Sequence, residues 1–171
     1  DINVSNYADS MNTDAARTWL WSDKKTLTTE VGVYDNYARV YGMARAWAMP
    51  GSTQYHDAAL LAKIVSALTF LNEYDADGDG TPGCYGQNVS VSRPGNWWHW
   101  QIGTPEYLVN TLMLIEDGVD ASFIARMLEP VDICSPVPAM TMANRTWIAW
   151  PAIGSALLAG SGERVVTDIQ A

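Results

Sequence analysis

Apolar residues recur at spacings of three and four along most of this chain, the period of a helix with one buried face. Val33, Tyr37, Val40, Tyr41, Ala44 and Trp47 predict a long helix over Thr29–Met49, stopped by Pro50-Gly51. Leu60, Leu61, Ile64, Leu68 and Leu71 predict the next, with Ser52 or Thr53 available as its cap. Leu108, Leu112 and Ile115, with Val109 and Met113 beside them, predict a helix that opens at Pro105 and runs to about Asp117-Gly118. Thr104 suits its N-cap, Pro105 its first helical position and Glu106 its positive end. Asp120 caps a helix through Met127 that Pro130 ends, and Asn144–Ala159 is the last, interrupted by Pro151 and closed by Gly160. Asp14–Leu20 is a short candidate with Trp19 and Trp21 near its end, and Val89-Ser90-Val91 is the only strand-like alternation. The class is all-α. Helices of similar length joined by short turns pack as antiparallel hairpins, and those present here are too few to close a ring.

With 171 residues, 48% of them hydrophobic, the chain can bury one real core. Its net charge of −9 excludes nucleic acid as a natural partner and suits a secreted protein that must stay soluble. The same charge repels acidic polymers at low salt, so binding one needs local cations, for which Arg93 and Arg145 are candidates. No apolar run is long enough to span a membrane, and no signal peptide is visible. Asp1 is not an initiator Met, and Asp168–Ala171 carries no helix stop, which together suggest a processed or trimmed piece. Cys84 and Cys134 stand in no metal-ligand spacing with each other or with the two histidines; a single disulfide and two buried thiols both remain open.

Candidate chemistry concentrates in Asn96-Trp97-Trp98-His99-Trp100-Gln101-Ile102-Gly103-Thr104-Pro105, which holds three of the eight tryptophans directly before a helix start. An indole at a surface is costly unless something flat and partly apolar lies against it, as the face of a sugar ring can. The plainer alternative is that these indoles fill the core between helices. Trp100 and His99 suit that packing role better than a surface one.

This decapeptide resembles the Asn-Trp-Trp-x-x-(Glu/Gln)-Ile-Gly-x-Pro signature of the family 8 polysaccharide lyases, which include hyaluronate, chondroitin AC and xanthan lyases. Thr141-Met142-Ala143-Asn144-Arg145-Thr146-Trp147 is similar to the family's Thr-Gly-Ala-Asn-Arg stretch, which carries a catalytic asparagine. The His99-Trp100-Gln101 continuation and Trp147 resemble the xanthan lyase branch most. Met142 stands where the family usually has Gly, and Ser135-Pro136-Val137-Pro138 lacks the aromatic that some members place before the asparagine.

The resemblance implies an incomplete (α/α) toroid. Residues 1–171 would form the N-terminal portion of a catalytic domain whose remainder lies on polypeptide outside this chain. It implies a secreted bacterial enzyme that cleaves a uronic-acid polysaccharide by β-elimination, with no cofactor needed for catalysis. Asn144 would hydrogen-bond the uronate carboxylate; on the residues alone, an asparagine near a helix start is more often a cap. Trp97 and Trp98 would stack on sugar rings, with Asn96 orienting the motif's backbone and Arg145 completing the substrate-binding set. The family's catalytic Tyr and His, with supporting Arg and Glu, follow the asparagine in order, so they fall beyond Ala171. No tyrosine here replaces them, since Tyr7 to Tyr107 all precede Asn144. Alone, the chain would then be catalytically silent.

Two further readings stay open on the residues themselves. The same helices and tryptophans can make a non-catalytic carbohydrate-binding or scaffold module. A helical-barrel glycoside hydrolase would instead use paired carboxylates among Glu106, Glu116 and Asp117, although helix-terminus roles explain these acids. Separately, Asp75-Ala76-Asp77-Gly78-Asp79-Gly80 matches the first half of a calcium loop but has Gly86 at the closing Glu position. Asp75, Asp77 and Asp79 are therefore either a structural calcium site or a solvated acidic turn.

Overall fold

The computed structural model describes residues 2–73, 85, 95–134 and 142–162. Six α-helices run in chain order among them: α1 Ile2–Ser10, α2 Glu30–Ala48, α3 Ala58–Glu73, α4 Thr104–Ile115, α5 Ala121–Cys134 and α6 Met142–Leu158. No strand occurs among the described residues.

Helix starts follow local chemistry. The Thr29 hydroxyl accepts from the Gly32 N–H at 3.2 Å, and Asp120 Oδ1 accepts from the Phe123 N–H at 2.7 Å, satisfying donors that a first turn leaves open. The start of α3 differs from the sequence expectation. Asp57, not Ser52 or Thr53, is the cap, its Oδ1 accepting from the Leu60 N–H at 2.6 Å. Ser52 is spent on a local turn to the Gln54 N–H. At the other end of the domain Gly160 closes α6 with φ +66°; its N–H reaches Leu157 O and the Ser161 N–H reaches Ala156 O, the paired bonds of a Schellman stop.

One helix expectation is overturned near the N-terminus. Asp14–Leu20 is not helical, because Asp14 Oδ1 captures the Ala16 N–H at 2.7 Å and locks an Asx turn. The polar stretch Ile2–Ser10 is helical instead, with its last carbonyls taken by tertiary donors: Trp21 Nε1 bonds Tyr7 O at 2.9 Å and Lys63 Nζ bonds Ala8 O at 2.7 Å. Pro130 also fails to end its helix. It sits inside α5, where buried Leu128 and Val131 hold the last turn onto the core despite the missing N–H. Pro151 lies inside α6 without stopping it.

The helices form two layers. α4 packs between α2 and α6, and α3 packs against α2 and α5 on the outside. Contacts along their lengths set α2, α4 and α6 side by side in the same direction. Tyr34 meets Tyr107 near their beginnings, and Gly154 of α6 rests on Val109 and Met113 of α4. Buried Val33, Val40, Ile64, Leu68, Leu108 and Leu112 fill the space between the layers. A polar chain crosses that core: the Tyr37 hydroxyl donates to Asn72 Oδ1 at 2.5 Å, and the Asn72 amide donates to Met127 O at 3.0 Å. It ties α2, α3 and α5 together. Burial raises the Tyr37 phenol well above its ordinary value, so it stays neutral in this chain of bonds.

Candidate functional site

The tryptophan motif enters α4 through a helical start that the sequence misplaces by eight residues. The chain is already helical at Trp97, and a π turn spans His99–Gly103 before α4 proper. Asn96 is the cap: its Oδ1 accepts from the Trp98 N–H at 3.0 Å and its carbonyl accepts from the His99 N–H at 3.1 Å. Thr104 is instead a buried residue within the continuing helix, its N–H bonded back to His99 O. Pro105 explains the wide turn. Inside a regular helix its ring would press on the carbonyl four residues back, and widening the preceding turn relieves that clash.

Two glycines let the motif close onto α2. Gly95 has φ +84°, and a Cβ there would run into the Glu30 carboxyl, whose Oε1 accepts from the Asn96 N–H at 3.2 Å. Gly103 lies under two rings; a Cβ there would stand 2.5 Å from Trp98 and 2.6 Å from Tyr34.

The three tryptophans part ways. Trp100 is buried, as its packing role requires, and Trp97 leaves 42% of its surface in solvent. Trp98 is half-buried and meets Tyr34 edge-on at 6.0 Å. His99 is wedged against both, 4.9 Å from the Tyr34 ring and 5.5 Å from Trp98. From Tyr34 the rings continue along α2 and α4: Tyr34 and Tyr107 lie 5.0 Å apart, and Tyr107 and Tyr41 5.5 Å. This half-buried stripe of tyrosines was not anticipated, although Tyr34 and Tyr41, seven residues apart, share one helix face. The Tyr34 and Tyr107 hydroxyls are 3.2 Å apart; burial, and then that bond, push Tyr107 up to about 12. A phenol so held keeps its proton near neutrality and is no base.

Asn144 and Arg145 stand in the first turn of α6, which starts at Met142, so Asn144 is inside the helix and not its cap. Asn144 is half-buried and Arg145 exposed. One turn on, Trp147 is 50% exposed. Because α6 packs on both α4 and the π turn and runs parallel to α4, Asn144 lies at the same end of the inner layer as Trp97 and Trp98. Two regions separated by more than forty residues of sequence thus share one end of the domain.

A family model described as polysaccharide lyase family 8, N terminal alpha-helical domain, matches residues 1–171. The chain belongs to that family. A xanthan lyase of Bacillus sp. strain GL1 is 32% identical over 149 residues, 85% of this chain and 15% of that protein. A hyaluronate lyase of Enterococcus faecalis is 32% identical over 111 residues, 64% of this chain and 10% of that protein. The solved structure of Paenibacillus xanthan lyase matches with a TM-score of 0.83 at 28% identity, covering 99% of this chain and 15% of that one. Chondroitin AC lyase from Streptomyces coelicolor, solved in complex with chondroitin sulphate, matches the fold with a TM-score of 0.81 at 23% identity, over 99% of this chain and 22% of that one. The all-helical layers described above are thus an arc of the (α/α) toroid found in these lyases. The chain spans 15% of the length of the xanthan lyase that it matches.

Some sequence expectations fall outside the described residues of this family 8 domain. They are the Asp75, Asp77 and Asp79 loop, the Val89–Val91 alternation, Arg93, and the side chains of Cys84 and Cys134. Among the described residues, no group of three His, Cys, Asp or Glu side chains is placed to hold a metal, and no helix is long and apolar enough to cross a membrane.

Proposed function

We propose that this domain supplies the substrate-holding half of a secreted polysaccharide lyase that cleaves a uronic-acid polymer by β-elimination. The observation that carries the reading is the shared end of the inner layer, where Asn144 of α6 stands with the Trp97–Trp98 platform at the entrance to α4. Trp97 offers an exposed indole face to a sugar ring, and Trp98, braced by Tyr34, sets where the polymer lies. Arg145, exposed beside Asn144, supplies positive charge where a domain of net charge −9 would otherwise repel a polyanion.

Elimination of a 4-linked sugar from a uronate removes the proton at C5, which is a very weak acid while the adjacent carboxylate keeps its charge. An amide donating hydrogen bonds to that carboxylate stabilises the enolate-like charge as the proton leaves. A base takes the C5 proton, the C4–O bond breaks, and an acid protonates the departing oxygen, leaving a C4–C5 double bond in the uronate. In this reading Asn144 is the donor. Base and acid come from the rest of the larger polypeptide, because Tyr107 is pushed away from ionisation and Tyr37 is buried.

The test is to incubate the full-length protein with xanthan, hyaluronan and chondroitin and follow ultraviolet absorbance and reducing ends together. The reading predicts absorbance from an unsaturated product on at least one polymer. New reducing ends without absorbance would mean hydrolysis and would overturn it.

A further inference from the structure

Beyond the tryptophan platform, the aromatic stripe leads to a second feature. About 16 Å along α2 from Tyr34, eleven residues at 1.5 Å each, a cavity of about 380 Å³ opens between α2 and α4, lined by Tyr41, Arg45, Met49, Asn110, Met113 and Leu114. That volume falls in the range of small-ligand sites. Lys24, Arg39, Lys63 and Arg126 each face a carboxylate, whereas Arg45 forms no ion pair among the described residues and lies 5.8 Å over the Tyr41 ring. The groove's lining contains no acid, on a chain of net charge −9.

Asn110 connects the groove to α6. Its Oδ1 accepts from Trp150 Nε1 at 3.2 Å. An indole nitrogen can only donate, so this bond turns the amide oxygen towards α6 and leaves the amide N–H pair as donors. Trp150 itself leaves 45% of its surface exposed. One cation, one amide donor and the Tyr41 ring therefore line one groove, and Trp150 of α6 is tied to it through Asn110.

We propose that this groove is a second saccharide subsite, which takes an acidic sugar with its carboxylate on Arg45 and its ring against Trp150 and Tyr41. The proposal rests on the reading of Trp97 and Trp98 as a glycan platform and adds where a distant part of the same polymer is held. An ordinary helix-end role for Arg45, near the last carbonyls of α2, would predict an effect on stability and none on binding.

The experiment is calorimetric titration of the full-length protein, carrying Asn144→Ala throughout to stop turnover, with a hyaluronan decasaccharide and with the same oligosaccharide after reduction of its carboxyl groups. Arg45→Gln is expected to weaken binding of the acidic oligosaccharide about tenfold, with no change for the reduced one and no change in melting temperature. Arg45→Lys should recover part of the loss. If Arg45→Gln changes nothing while Trp97→Ala with Trp98→Ala weakens binding, the groove is no subsite and the platform reading stands. If the two oligosaccharides lose affinity equally, Arg45 does not meet a carboxylate, and the proposal fails. If neither set of variants alters binding, the platform reading fails with it.

Discussion

The entrance to α4 and the first turn of α6 share one end of the domain but are built in opposite ways. At α4 the entrance is fixed by structural contacts: Asn96 caps the helix, Glu30 holds the Asn96 N–H, and Gly103 lets Trp98 and Tyr34 sit against the π turn. At α6, Asn144 is half-buried and Arg145 and Trp147 are exposed, on a helix that begins two residues earlier. A surface that stacks on sugar gains from rigidity, since a ring already held in place loses little entropy on binding. A group that must meet a developing charge has to leave its donors turned outward. On the proposed function the difference would separate holding from chemistry, and substitutions can probe each side.

The largest stability effect belongs to the hidden member of the motif. Trp100→Ala should cost about 3–5 kcal/mol in urea unfolding, because it empties a fully buried site. A loss below 1 kcal/mol would mean that the entrance to α4 is not anchored through its core. Gly103→Ala should cost about 1–3 kcal/mol, since the added methyl meets Trp98 and Tyr34, and it should also disturb indole fluorescence. Asn96→Ala removes the cap, at about 1 kcal/mol, and should loosen Trp97 and Trp98 without touching Asn144.

The smallest effect lies away from both regions. Two bonds from the Arg39 guanidinium hold the Asp23 carboxyl down at about 2. A carboxyl whose folded value is depressed adds stability above its unfolded value of about 3.9 and loses it as pH falls towards 2. Asp23→Asn should therefore destabilise the neutral protein by less than about 1 kcal/mol, Asp23 being largely exposed, and the gap should close by about pH 2. Thermal melts from pH 7 to pH 2 read this directly.

Long periodic helices were legible from residues alone, because Val33, Val40, Leu108 and Leu112 bury one face at helical spacing. So were Asp120 and Gly160, whose roles depend on neighbours a few residues away. What failed depended on distant partners. Nothing in Ile2–Ser10 announces that Trp21 and Lys63 will cap its carbonyls, and nothing near Pro130 shows that Val131 is held by the core. At the site, the two motifs that hold Trp97, Trp98 and Asn144 made the family legible, while the roles of those residues stay with the proposed function. Thr104 was misread because the helix starts earlier and passes Pro105 through a π turn. The tyrosine stripe and the Arg45 groove arise only when α2 and α4 lie side by side.

The most direct measurement of the central claim is the separate determination of kcat and oligosaccharide affinity for Asn144→Ala in the full-length enzyme. If Asn144 donates to the carboxylate as the C5 proton leaves, kcat falls by roughly 10²–10³ while affinity changes little. Unchanged kcat with weakened affinity would make Asn144 part of the holding surface and would contradict the division of labour between the two helix starts.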